Sequence, residues 1–467
     1  MGSEMCIRDR LKRSALLLPQ GVALAAAGVA GIGGVPNAVA LFAPLAAFAL
    51  TAAVCHAELA ERRPEVGHLT GYFLLISVGG ALGGLFNALL APVLFPIPLE
   101  YPLLLVAACL LRPRHAAAPP AWARVGRNFR FDLLVPAALI LLTLAVLWAA
   151  GGSAGADAAR LAKHAAAIVL PGAVLLWFVG RRTQLALTLG GFLIVPPLTD
   201  LPNTPVVARG FFGVHRVRLL PAEELVVLQN GTTLHGVQST RSGEELTPFV
   251  YYHREGPFGR LFDILAQRPT PIAAVGVLGL GTGVLGCYAR PGEAWTFHEI
   301  DPVVELLARD ARWFRFMADC GNGPTVVLGD ARVTLANAAD RYDVLVVDTF
   351  SSDSVPVHLL TREALALYFA RLKPGGVVVF HISNRYLDLA PVVARLAADA
   401  GAPARHLLVP PPPLGASPRT SGAEAVAVAA PGGDLDALAA DGWDVPRPGP
   451  ALWTDERSDV LGVLRWR

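Results

Sequence analysis

The sequence predicts an α-helical transmembrane region, then a small β-hairpin domain, then a doubly wound α/β domain. Three observations lead there. Of 467 residues, 54% are hydrophobic and only 16% charged, well outside the composition of an ordinary soluble globule. Residues 1–200 hold only 24 of the 76 charged side chains and carry a net charge of +6, against −4 for the remainder. Beyond about residue 206 the apolar runs shorten to strand length and alternate with helical stretches, the pattern of strand–helix–strand units around a parallel sheet. The mildly acidic second half argues against nucleic-acid binding through a basic face.

Residues 14–200 read as the membrane region. A bilayer core about 30 Å thick needs roughly 20 mostly apolar residues per helix, because lipid cannot satisfy open backbone groups. Candidates are Ser14–Ile32, Asn37–Cys55, Leu69–Phe95, Pro98–Leu111, Leu133–Ala150, Ala165–Gly180 and Leu185–Leu198, of which the fourth and the last are short. Basic clusters at Arg8–Arg13, Arg62–Arg63, Arg112–Arg130 and Arg181–Arg182 mark cytoplasmic loops. Seven crossings would carry the second half to the far side, whereas an enzyme domain fed from the cytosol should face inward. Treating Leu185–Leu198 as re-entrant or interfacial, because Gly190–Gly191 and Pro196–Pro197 interrupt it, reconciles the two. The expected location is therefore multi-pass in a bacterial inner membrane, with a cytoplasmic second half. Gly79, Gly80, Gly83 and Gly84 put small residues on a helix face where two helices can approach. Residues 1–13 lack an apolar run and read as a leader foreign to the native chain, which leaves room for further helices before it.

Residues 206–270 read as the small β domain, with Asn230-Gly231 between two alternating runs as its hairpin turn. In residues 271–467, strands are expected at Ile272–Leu278, Ala294–His298, Thr325–Leu328, Tyr342–Val347 and Gly376–His381, and helices at Val303–Ala318, Arg362–Leu372 and Ala390–Ala400. Cys6, Cys55, Cys109, Cys287 and Cys320 form no CxxC pair, so neither a disulfide framework nor a metal site is expected. His298 and His381 sit on apolar strands and read as core histidines, and Trp453 as packing.

In a sheet of this kind ligands lie beyond the carboxyl ends of the strands. The first strand runs into Gly279-Leu280-Gly281-Thr282-Gly283, whose glycines let backbone approach a ligand closely. Glu299 ends the second strand, 16 residues after Gly283, fit to hold two ribose hydroxyls; Asp330-Ala331 follows the third, suited to an adenine edge; Asp348 ends the fourth. The glycines give GxGxG rather than the dinucleotide pattern GxGxxG. A sulfonium nucleoside of the S-adenosylmethionine type therefore fits better than a nicotinamide cofactor, which makes the domain Rossmann-like and of the S-adenosylmethionine-dependent transferase type.

At these residues, together with Gln238, Tyr252-His253, His298-Glu299-Ile300-Asp301 and Tyr342 to Asp348, the chain resembles spermidine synthase, the polyamine aminopropyltransferase family, in the branch that carries a membrane region. The resemblance implies that Gln238, Glu299, Asp330 and Ala331 hold the nucleoside, that His253 and Asp353 meet the polyamine, and that Asp348 is the catalytic base. It implies decarboxylated S-adenosylmethionine as co-substrate, a diamine such as putrescine as acceptor, spermidine and methylthioadenosine as products, no metal, and a lipid bilayer as surroundings, with a homodimer left open.

Chemistry supports the assignment independently. A sulfonium is already an activated electrophile, so the enzyme mainly delivers a neutral amine in line and takes up its proton. Asp348 can attract the ammonium and accept that proton, and Asp353 can anchor the distal ammonium. Two departures stand against the family pattern: Thr282 occupies the position of an Asp that would face the aminopropyl ammonium, and the loop from Asp348 to Asp353 is two residues longer between its acids. Two alternatives therefore stay open. One is a methyltransferase using ordinary S-adenosylmethionine on a small or membrane-associated acceptor. The other is a non-catalytic membrane polyamine sensor or transporter.

Overall fold

A computed structural model describes the protein apart from residues 1–12, 33–34, 36, 113–128, 152–167, 232, 350–355, 385, 413–418 and 466–467. The chain divides into two units, Met1–Pro202 and Asn203–Arg467.

The first unit is helical. Arg13–Ile32 lies along Asn37–Glu61, and Arg182–Asp200 packs against Arg13–Ile32, Glu100–Leu110 and Phe129–Gly151. Leu185, Leu189, Phe192 and Leu193 recur at helical spacing and are buried among Leu24, Leu105 and Leu175. Gly190–Gly191 and Pro196–Pro197, expected to interrupt this segment, do not. Arg182–Asp200 is one continuous helix through Gly190–Gly191 and Pro196–Pro197, and its leucine stripe sits at the centre of the unit's core. Among the described residues, no helix lies against the glycines expected to allow close approach. A Cβ added at Gly79, Gly80, Gly83 or Gly84 would meet nothing within 4 Å, because the helix Leu69–Leu85 buries none of its residues. Close packing occurs instead at Gly28, where a Cβ would lie 2.2 Å from Leu189. Among the described residues, two helices, Ala38–Glu61 and Val66–Leu94, are long and apolar enough to cross a membrane.

The second unit begins with an antiparallel meander of β1 (Val206–Gly210), β2 (Gly213–Leu220), β3 (Leu225–Asn230) and β4 (Thr233–Ser239), in that order. Asn230 pairs with Thr233 across the expected turn. A seven-stranded sheet follows, built from β5 (Ala274–Leu278), β6 (Ala294–Glu299), β7 (Thr325–Leu328), β8 (Tyr342–Val347), β9 (Leu372–His381), β10 (Ala404–Val409) and β11 (Ala423–Ala429). Its order is β10-β11-β9-β8-β5-β6-β7, with β5 to β9 parallel and β10 and β11 antiparallel at one edge. β5, β8 and the stretch of β9 from Val377 to Phe380 are rich in Val and Leu and buried on both faces, as the centre of a parallel sheet requires.

Two expectations fail here. The helix expected over Val303–Ala318 is broken into Pro302–Ala308 and Phe316–Asp319. The Asp310 carboxylate accepts the Arg312 N–H at 3.1 Å, a local bond that competes with the helix. The break also lets Phe314 reach the core beside Val217 and Leu228. Cys287 and Cys320, 33 residues apart, form a disulfide with Cα atoms 4.7 Å apart. Spacing alone could not reveal it, because the fold brings together the turn after β5 and the segment before β7.

Candidate active site

The parallel strands end on one rim, and the glycine loop leaves β5 there. Gly279 has φ +99°, and a Cβ on it would stand 2.0 Å from the Asp348 carbonyl oxygen. Gly281 has φ +56°, and its Cβ would stand 2.5 Å from the His235 carbonyl oxygen of β4. Both positions need glycine for conformation and for space.

Glu299 ends β6 and is buried. Its Oε2 accepts the Leu280 N–H at 2.9 Å and its Oε1 accepts the Asp301 N–H at 2.9 Å, so the carboxylate clasps the glycine loop. Burial pushes its pKa up, with the backbone donors pulling the other way. Asp330 caps the helix Ala331–Asn337 through N–H bonds from Arg332 and Val333, and its second oxygen lies 3.3 Å from His358 Nε2. These residues line a cavity of about 310 Å³ with Ala331, Gly279, Gly281, His215, His235, Phe212 and Asp348.

Asp348 follows β8, with 12% of its side chain exposed. Its Oδ2 accepts the Tyr252 hydroxyl at 2.5 Å, and its Oδ1 lies 2.7 Å from His381 Nδ1. Burial alone would raise its pKa; His381, Tyr252 and His235 outweigh that and hold the carboxyl below its usual range. Beyond Asp348 is a second, smaller polar chamber of about 50 Å³, lined by Tyr251, Tyr252, His381, Ser383 and Asn384. His235, Gly281 and Asp348 border both spaces.

The structure brings together Gly279, Gly281, Glu299, Asp330, Ala331 and Asp348. It does not bring the others to the cavity lining. The Thr282 side chain is fully buried against Gly236, its hydroxyl without a partner, and Gly283 packs near Met317. Gln238 Oε1 accepts the Arg315 N–H at 2.7 Å. His253 is half-buried beside Gly256, with burial pushing its pKa down. Asp353 lies outside the described residues. His381, expected in the core, is instead a site residue touching Asp348. Its signal was the alternation His381-Ile382-Ser383 at a strand end, which aims both polar side chains to one side. His235 carried no such signal. Among the described residues no group of three His, Cys, Asp or Glu is arranged to hold a metal ion.

No family model matches the chain. It is 36% identical over 109 residues to the polyamine aminopropyltransferase of Vibrio vulnificus (strain CMCP6), a stretch covering 22% of this chain and 35% of that protein. It is 33% identical over 113 residues to the probable polyamine aminopropyl transferase of Bifidobacterium longum (strain NCC 2705), covering 23% of each. The chain thus spans about a third or less of the length of the curated relatives it matches. Among solved structures it is similar to a probable spermidine synthase from Corynebacterium glutamicum ATCC 13032, with a TM-score of 0.39, 17% identity, and coverage of 48% of this chain and 79% of that one.

The four-stranded meander and the seven-stranded mixed sheet make up an α/β unit whose parallel strands end on the rim that carries the candidate site. In sequence, the chain resembles the two polyamine aminopropyltransferases over stretches of 109 and 113 residues.

Proposed function

We propose that this domain transfers an aminopropyl group from decarboxylated S-adenosylmethionine to a diamine such as putrescine, giving spermidine and methylthioadenosine, and that the apolar helices hold it in a bilayer. The observation that carries the reading is the position of Asp348 between two spaces of different character. The larger has room for a nucleoside beside Glu299 and Asp330; the smaller is polar and sized for an amine end.

In this reading Glu299 accepts the ribose hydroxyls on its remaining lone pairs, while Ala331 and the Asp330 cap border the base. The attacking nitrogen comes from the smaller chamber and meets the donor carbon beside Asp348, whose carboxylate attracts the ammonium and on which proton removal depends. The acceptor's lone pair forms the carbon–nitrogen bond as the carbon–sulfur bond breaks onto sulfur, leaving a neutral thioether.

The test is to incubate membranes bearing the full chain with each sulfonium donor and a panel of diamines, and to identify the nucleoside released. Methylthioadenosine supports the reading. S-adenosylhomocysteine supports methyl transfer instead, a second reading that Thr282 favours because its buried side chain offers the aminopropyl ammonium no carboxylate. Neither product from any donor–amine pair would overturn both.

A further inference from the structure

His381 is bonded at both ring nitrogens. Asp348 as a carboxylate can only accept, so His381 Nδ1, 2.7 Å from Oδ1, carries a hydrogen. Nε2 then bears the lone pair of the neutral ring and faces Ser383 Oγ at 2.8 Å. That oxygen already accepts the Glu424 N–H at 2.8 Å, so its own hydrogen points to Nε2. A line of hydrogen bonds therefore runs from Ser383, on the wall of the small chamber, through His381 to Asp348.

We infer that this line is the proton exit of the reaction: His381 is the base, receiving through Ser383 the proton of the attacking nitrogen, while Asp348 orients the ring and stabilises its charged form. The inference deepens the alkyl transfer proposed above and rests on it. The substrate ammonium gives one proton to Ser383 Oγ, whose own proton passes to Nε2. The neutral amine then displaces the thioether, and the imidazolium returns its proton to solvent after product leaves. No other reactant is needed.

Relative basicity supports the histidine. In water an imidazole is roughly 400-fold more basic than an aspartate and about 10⁴-fold less basic than an alkylamine. Leaving the proton on Asp348 is harder still, because its donors depress the carboxylate's basicity further. The groups packed around the ring fit this use. Tyr251 and Tyr252 stand with ring centres 5.3 and 6.0 Å away, and the Phe258 ring, perpendicular to the imidazole, has its centre at 5.4 Å. Tyr252 is kept protonated by burial and by Asp348, so it serves only as a donor. His235, on the other side of Asp348, is kept neutral by burial. The Glu424 carboxylate is turned to His406 and Arg465.

The test is the pH dependence of turnover for full-length wild type, His381→Gln and Ser383→Ala, with donor affinity measured by calorimetry. Glutamine keeps an N–H for Asp348 but cannot take a proton. His381→Gln should lose 100-fold or more in kcat at pH 7 with donor affinity within threefold. Its rate should climb tenfold per pH unit toward pH 10, where free amine is supplied by solution. Ser383→Ala should fall about tenfold with a similar climb, and it carries the test should His381→Gln fail to fold. A His381→Gln profile parallel to wild type, or equal losses in donor affinity and kcat, overturns the inference and leaves the proposed reaction standing. Wild type without turnover on either donor overturns both.

Discussion

Asp348 is the residue on which the site turns, and its surroundings say what its removal costs. Three polar neighbours hold it ionised against its burial. Asn would keep the shape and one acceptor while losing the charge that attracts the ammonium and stabilises an imidazolium beside it. Proton-transfer groups are typically worth 10² to 10⁴ in rate. Asp348→Asn is therefore expected to lower kcat within that range while donor affinity, read by calorimetry, stays within about threefold. A second residue-scale expectation concerns stability. Burial pushes His298 down to about 4, from 6.5 in the unfolded chain. Between those pH values the unfolded state binds the extra proton, so acidification from 6.5 to 4 removes stability, by up to about 3 kcal/mol for one such group. Glu299, raised by burial, acts in the opposite sense over the acid end of that window. The comparison that isolates the histidine is the slope of unfolding temperature against pH, which should be shallower in His298→Gln than in wild type. Equal slopes would refute it.

At the scale of elements, the glycine loop and β4 fit too closely to leave Thr282 the role its position suggests. A Cβ on Gly236 would stand 2.1 Å from the Thr282 hydroxyl, which has no hydrogen-bond partner. Thr282→Val keeps the shape and removes a buried, unpaired hydroxyl, so it should stabilise by about 1 kcal/mol and leave kcat unchanged. Thr282→Asp buries an unpaired charge and should unfold the loop rather than improve use of the decarboxylated donor. Thermal unfolding and donor kinetics of the two variants check this; a folded Asp variant with a lower donor KM would show that the side chain does reach the ligand. The same contrast explains what was legible in the sequence. Strand-end acids such as Glu299, Asp330 and Asp348 could be read because a parallel sheet puts every carboxyl end on one rim. The partners of Asp348 could not, since Tyr252 lies 96 residues before it and His381 33 after, and His381 becomes its neighbour only through the pairing of β8 with β9. Gln238 has the composition of a ligand-binding residue but spends its acceptor on the Arg315 N–H. Periodicity predicted β7 and β8 to the residue. It missed the break at Asp310, where a side chain competes with the helix.

At the scale of the whole molecule, the first unit poses a solvent problem. The helix Leu69–Leu85 buries no residue, and Leu75 and Val93 are 73% and 80% exposed, with Phe48 at 74% on the preceding long helix. Soluble monomers rarely expose contiguous apolar patches beyond a few hundred Å², and a helix apolar all round belongs in a core or in lipid. Val66–Leu94, at about 1.5 Å per residue, spans roughly 43 Å, more than the hydrocarbon thickness of about 30 Å. The break in its hydrogen-bond pattern over Phe86–Leu90 is a π segment, a device that bends or adjusts a helix without leaving backbone groups open. Insertion satisfies these surfaces, whereas peripheral attachment through charge cannot, because the exposed faces carry leucine rather than lysine. The full chain is therefore expected to stay in the membrane pellet after washing with alkaline carbonate or 1 M salt, about which surface ion pairs are screened within roughly 3 Å, and to be released by detergent. Replacing Leu75 and Leu82 by arginine, each costing about 2.5–3.5 kcal/mol at mid-bilayer, should move a measurable fraction into the carbonate wash. Release of the unmodified chain by carbonate alone would mean that these faces are covered by protein rather than by lipid.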